Sequence, residues 1–210
     1  LYLPVDAIFA AMNQPFRSPE LSPTTQAAEG LMRRRWTVAE IEAMVRAGII
    51  DEDERFELIG GEIVPMNAKG IHHELLKNAL NLHFATTLPG AFRFAVETTF
   101  RLSEDSFIEP DFIFFRKADG LANLNPHTAL LAVEVADSSL SWDLGRKARI
   151  YANFGIPELW VIEAVSRTAH LHAAPGLEGY GDVRMLDEGQ ALVSAHVPGL
   201  SVKLSKLEDI

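Results

Sequence analysis

Residues 129–162 read ALLAVEVADSSLSWDLGRKARIYANFGIPELWVI, and this stretch decides the fold. Its opening, ALLAVEV, is nearly all apolar and of strand length, as a central strand covered on both faces is. Residues 143–154 then follow a helical period, with Leu144, Ala148 and Tyr151 on one side and Arg146, Arg149 and Asn153 on another. Gly155 closes that helix, and ELWVI supplies the next strand.

Working back towards the N-terminus, AFRFAVETTFRL (91–102) and FIEPDFIFFR (107–116) each read as one strand, rich in aromatic and branched residues. Before them, Ile71 to about Phe84 is a helix in which Leu75, Leu76, Ala79 and Leu80 form the apolar stripe, bounded downstream by Pro89-Gly90. On this phase His72 extends the buried stripe, while His73 falls with Lys77 and Asn81 on the wet face. Residues 56–64, FELIGGEIV, are two short arms around Gly60-Gly61, a pair whose tolerance of positive φ suits a two-residue hairpin turn. Thr37 with Glu40 is a capping-box pattern, opening a short amphipathic helix of Val38, Ile41, Met44 and Val45 that Gly48 ends. Beyond Arg167, short strand-like runs alternate with turns to about Leu204 and read as further antiparallel strands. The expected class is α+β, a mixed sheet covered by helices.

At 210 residues and 48% hydrophobic, the chain is long enough to bury one substantial core. One domain over residues 33–210 is expected. Residues 1–32 are expected to be a flexible arm or leader, because 13–30 are rich in Pro, Ser, Thr and Gln without a sustained apolar period. Residues 1–11 have no basic n-region, so they do not read as a signal peptide. No run approaches the length of a membrane span. There is no cysteine, which excludes a disulfide, a thiolate metal site and a Cys nucleophile, and makes the cytoplasm the default expectation. The formal charge of −10 demands a local basic surface if nucleic acid is the partner. Arg33, Arg34 and Arg35, or Arg146, Lys147 and Arg149, are the candidates for one, against the plainer reading of solvated surface charge.

Two acids stand where burial is costly. Asp111 follows Pro110 at the start of an apolar strand, and Glu134 interrupts ALLAVEV. A salt bridge or backbone amides would satisfy either one alone. A shared Mg²⁺ would satisfy both, because that ion takes one or two carboxylates and completes its shell with water and phosphate oxygens. Asp143 and Lys147, four apart on the following helix, can look back over the strand of Glu134, or can be an ordinary helical ion pair.

In order and spacing, FELIGGEIVPM, HHELL, EPDFIFF, LLAVEVADSS, DLGRKARIYANFGIPELWVI and VPGLSVKLSKLEDI resemble the Uma-two-like restriction-endonuclease family of the PD-(D/E)XK nuclease superfamily, over roughly residues 33–204. The resemblance implies that Asp111 is the motif aspartate, Glu134 the second acid and Lys147 the lysine. The residue two after Glu134 is Ala136 where the basic motif has lysine, so the charge comes from the next helix, the usual form in this family. It also points to Glu57 and His72 as further members of the cluster; alone, Glu57 reads as a surface strand residue and His72 as a satisfied core histidine.

The implied activity is Mg²⁺-dependent hydrolysis of phosphodiester bonds, Mn²⁺ serving in place of Mg²⁺, with nucleic acid, DNA by resemblance, as substrate. A homodimer is implied by analogy, because cutting two strands suits a two-fold axis. No helix-turn-helix, zinc motif or phosphate loop is visible to explain sequence specificity. A catalytically inactive binding module on the same fold, and a hydrolase of some smaller phosphodiester, are the rival readings.

Overall fold

The computed structural model describes residues 34–208, so the expected N-terminal arm lies outside the described residues. Residues from Arg35 onward fall in one compact unit. The first helix, α1 (Val38–Arg46), is capped as its sequence requires: the Thr37 side chain accepts from the Glu40 N–H while Glu40 reaches back to the Thr37 N–H. Strands β1 (Phe56–Ile59) and β2 (Glu62–Pro65) pair around Gly60 and Gly61, at φ of 57° and 79°. At Gly61 a Cβ would also stand 2.5 Å from that of Arg35, so the position excludes side chains twice over.

Helix α2 (Ile71–Thr87) leads to β3 (Phe92–Val96), β4 (Phe100–Ser103), β5 (Ser106–Ile108), β6 (Phe112–Arg116) and β7 (Ala129–Ala136). Each of the two strands expected over 91–102 and 107–116 is therefore two. The break in the first falls at Glu97, whose φ of 45° no continuous strand allows, and in the second at Pro110, which has no N–H for a ladder. At these breaks the chain passes between a four-stranded sheet, ordered β2-β1-β5-β4, and a six-stranded one, ordered β10-β9-β8-β7-β6-β3. Alternation reads alike in both sheets, so the sequence pattern alone did not reveal the change of partner.

After β7 come α3 (Leu140–Trp142), one π-helical turn over Asp143–Lys147, and α4 (Ala148–Asn153). These cross over to β8 (Glu158–Glu163), which runs parallel to β7. The remaining β9 (Ala169–Gly176) and β10 (Gly179–Leu186) extend the large sheet antiparallel, while β11 (Ala191–Val193) and β12 (Ser201–Lys203) form a small ribbon.

Every residue of β7 is buried, as its unbroken apolar character requires. Leu131, Val133 and Val135 pack with Leu76, Leu80 and Phe84 of α2 on one face; Ala132 and Ala136 pack with Ala148 and Tyr151 of α4 on the other. By the period of two, Glu134 projects towards the α4 face. Among the described residues, no helix is long and apolar enough to cross a membrane.

Candidate active site

Asp111 sits at the crossing between the two sheets, immediately before β6. Its Oδ2 accepts the Val135 N–H at 2.8 Å, so the side chain continues the β6–β7 ladder one step beyond the backbone pairing. Its Oδ1 accepts from Lys69 Nζ at 2.9 Å, and His73 Nε2 lies 3.1 Å from both carboxylate oxygens. Burial alone would raise this carboxyl, but His73 and Lys69 outweigh it and hold Asp111 well below the usual carboxylate range. Glu97, brought alongside by its turn, pairs with Lys69 and, at 2.7 Å, with Lys77, balancing the second lysine.

Glu134 is 4% exposed and meets two donors on Oε1, the Tyr151 hydroxyl and Lys147 Nζ at 3.0 Å. Burial, with Asp111 and Asp143 adding their negative charge, pushes Glu134 up to about 8 against the opposing pull of Lys147. Lys147 Nζ also stands 3.1 Å from Glu57 Oε1, which accepts the Glu109 N–H as well. Burial would lower the Lys147 ammonium, yet Glu134, Glu57 and Asp143 together raise it above its ordinary value. A regular helix would not deliver the lysine in this way: the Ala148 N–H reaches five residues back to the Asp143 carbonyl, so the π turn sets the direction of Lys147.

Glu57, Lys69, His73, Asp111, Glu134 and Lys147 line one cavity of about 440 Å³. Its wall carries six carboxyl groups, from Glu57, Glu109, Asp111, Glu134, Asp137 and Asp143, against two ammonium groups, from Lys69 and Lys147. Such an excess of oxygen donors with negative charge fits a hard divalent cation. Among the described residues no three His, Asp or Glu side chains stand at ligand spacing, which disfavours a zinc-type cage. Magnesium needs no such cage, since it takes one or two carboxylates and completes its shell with water and phosphate oxygens.

A family model, Uma2, with the description "Putative restriction endonuclease", matches residues 38–205. The chain belongs to the Uma2 family. Its fold is similar to that of a crystal structure from Anabaena variabilis ATCC 29413, described as "a putative nuclease belonging to DUF820", at 14% identity and a TM-score of 0.56, over 76% of this chain and 93% of that one. No curated protein matches. Family and fold together make this a restriction-endonuclease-like chain with a mixed sheet.

Within this Uma2 chain, the cavity brings together Asp111, Glu134, Lys147 and Glu57, the last buried at 3% exposure rather than on a surface strand. It does not include His72. That residue is exposed and lies with Leu75 and Arg167 at a different depression, while His73 is buried against Asp111. The buried stripe of α2 is His73, Leu76, Lys77, Leu80 and Phe84, joined by Ala79. Reading Lys77 as a wet-face residue rotated the expected stripe by one position; its ion pairs with Glu74 and Glu97 are what allow a lysine inside. Lys147 is likewise no part of a basic surface, whereas Arg146 and Arg149 beside it are exposed. Sequence reasoning also missed Lys69, which lies in a loop without periodicity, and the role of Tyr151, read only as an apolar member of its helix stripe.

Proposed function

We propose that this Uma2 protein is a Mg²⁺-dependent endonuclease that hydrolyses phosphodiester bonds, with DNA as substrate and Mn²⁺ able to replace Mg²⁺. The observation that carries the reading is the buried Lys147 ammonium set between Glu134 and Glu57 in an acidic cavity that also holds Asp111. A lysine paired with one carboxylate would be an ordinary ion pair. One held by two buried acids beside a third, in an open cavity, is positioned for chemistry.

Asp111 and Glu134 would hold the divalent cation, which supplies Lewis acidity towards the scissile phosphate when bound. Lys147 orients the attacking water and neutralises charge that develops on the phosphoryl oxygens. Glu57 keeps the lysine charged and aimed, and Tyr151 fixes the rotamer of Glu134 through its hydroxyl. His73 and Lys69 hold Asp111 ionised; neither is asked to move a proton. Arg146, exposed and 5.8 Å from the ring of the cavity-lining Trp142, is a cation available to a nucleic-acid backbone.

Incubation with supercoiled plasmid, linear DNA and RNA, in Mg²⁺, Mn²⁺ or EDTA, tests the substrate. Metal-dependent cleavage of DNA is expected. Cleavage of RNA alone would overturn the substrate, and metal binding with no polymer cleaved would favour a smaller phosphodiester. Nucleic-acid binding indifferent to metal and to Asp111→Ala would mark a binding module instead.

A further inference from the structure

The six-stranded sheet ends on β10, which pairs with β9 on one side and with no other strand among the described residues. Its eight residues, GYGDVRML, include neither Lys nor Pro, and their only charges, Asp182 and Arg184, lie 3.8 Å apart and offset one another. The opposite edge, β3, has five residues, carries Arg93 and ends at the Glu97 turn. Large apolar side chains collect on the β9–β10 hairpin, with Leu177 88%, Val183 51% and Met185 69% exposed. An exposed, long and partly apolar edge is a template for another strand.

We propose that the occupant is a second copy of this chain, the two β10 strands pairing antiparallel about a two-fold axis at Val183 and joining the two large sheets. Charge selects this partner. A strand that pairs with itself about Val183 sets Asp182 of one copy directly opposite Arg184 of the other, and symmetry makes the contact twice. Val183 then meets its own mate, and Met185 lies over Gly181, where no side chain obstructs it. Within one copy Arg184 Nε and Asp182 Oδ2 are 3.8 Å apart and both side chains are exposed, so the pair can turn outward without opening the fold. The same strand backs the helix that follows Lys147: the Tyr180 hydroxyl donates to the Ile156 carbonyl at 2.8 Å, and α4 packs on β9 and β10. The dimer thus braces the helix of the candidate site, although the proposal stands on the edge strand and not on the nuclease reading.

Sedimentation equilibrium of the full chain, with amide exchange read at the β10 amides that face away from β9, tests this. A dimer with protected β10 amides is expected. Asp182→Arg alone and Arg184→Asp alone set like charges across the axis and should each raise the dissociation constant by roughly tenfold. The double exchange D182R/R184D restores opposite charges and should return it to within about threefold of the parent. A dimer indifferent to the single changes, or one that the double exchange does not restore, overturns the proposal. A monomer overturns it as well; protected β10 amides in that monomer would assign the edge to another segment of this chain.

Discussion

Lys147 Nζ lies 3.0 Å from Glu134 Oε1, a contact between two residues each no more than 5% exposed. Ionising both groups here would take two charges out of water at a cost of several kcal/mol per ion, which Glu134 avoids by keeping its proton up to about 8. The pair is retained with Glu57 on the far side of the ammonium and Tyr151 on the carboxylate, so the cluster is over-acidic around one cation. The stability of this fold and the chemistry of the cavity are linked through those four groups.

The first consequence is a dependence on pH. Glu134 is raised from 4.5 to about 8, so the folded protein keeps a proton there that the unfolded chain releases. Its contribution to stability is complete below about 4.5 and is lost as pH rises through about 8. Asp111, held low, contributes above its unfolded value and is constant over that window. Urea midpoints in EDTA should therefore fall from pH 5 to pH 8 by more in the parent than in Glu134→Gln. With saturating Mg²⁺, which takes the ionised carboxylate, the difference should shrink; equal slopes throughout would place the ionisation of Glu134 outside this window.

Lys147→Met removes the only ammonium between two buried acids and should cost about 3–5 kcal/mol, the usual penalty for stranding buried charge. A divalent cation can replace part of the lost positive charge. Thermal melts should show a larger Mg²⁺-induced rise in Tm for Lys147→Met than for the parent, and a smaller rise would contradict cation binding beside Glu134.

The two adjacent histidines at the start of α2 separate cleanly. His73→Ala removes a partner of the buried Asp111 and should destabilise by about 1–3 kcal/mol. His72→Ala alters an exposed side chain and should stay within about 0.5 kcal/mol of the parent, with metal affinity unchanged. Calorimetric titration of Mn²⁺ together with urea unfolding checks both; a larger effect at His72 would restore the helical phase expected from sequence.

Tyr151→Phe takes the hydroxyl from Glu134 without changing the packing of the ring. Losing a donor to a buried acid should push Glu134 higher still and cost about 1–3 kcal/mol. The pH midpoint of Mn²⁺ binding should move upward in the variant, and an unmoved midpoint would show that another group governs the titration.

Much of this architecture is legible in the order of the amino acids. The unbroken apolar run of β7 announces a doubly covered strand, and a lone Glu134 within it announces a group in need of partners. The Thr37 and Glu40 cap and the Gly60-Gly61 turn are set by local chemistry. Other features depend on tertiary pairing. The passage of the chain between sheets at Glu97 and Pro110 leaves strand alternation intact on either side. The burial of Lys77 follows from an acid twenty residues away, and without it the phase of α2 reads one position out. The π turn of Lys147 repeats no sequence pattern, yet it decides where the ammonium goes.

The central claim is that Asp111, Glu134 and Lys147 act together on a phosphodiester. The most direct measurement is the rate of Mg²⁺-dependent nicking of supercoiled plasmid by the parent, Asp111→Asn and Lys147→Met, each first shown to be folded by circular dichroism. Nicking that EDTA abolishes and that both substitutions reduce by about a hundredfold or more is the predicted result. Nicking at the parent rate in either variant would contradict it.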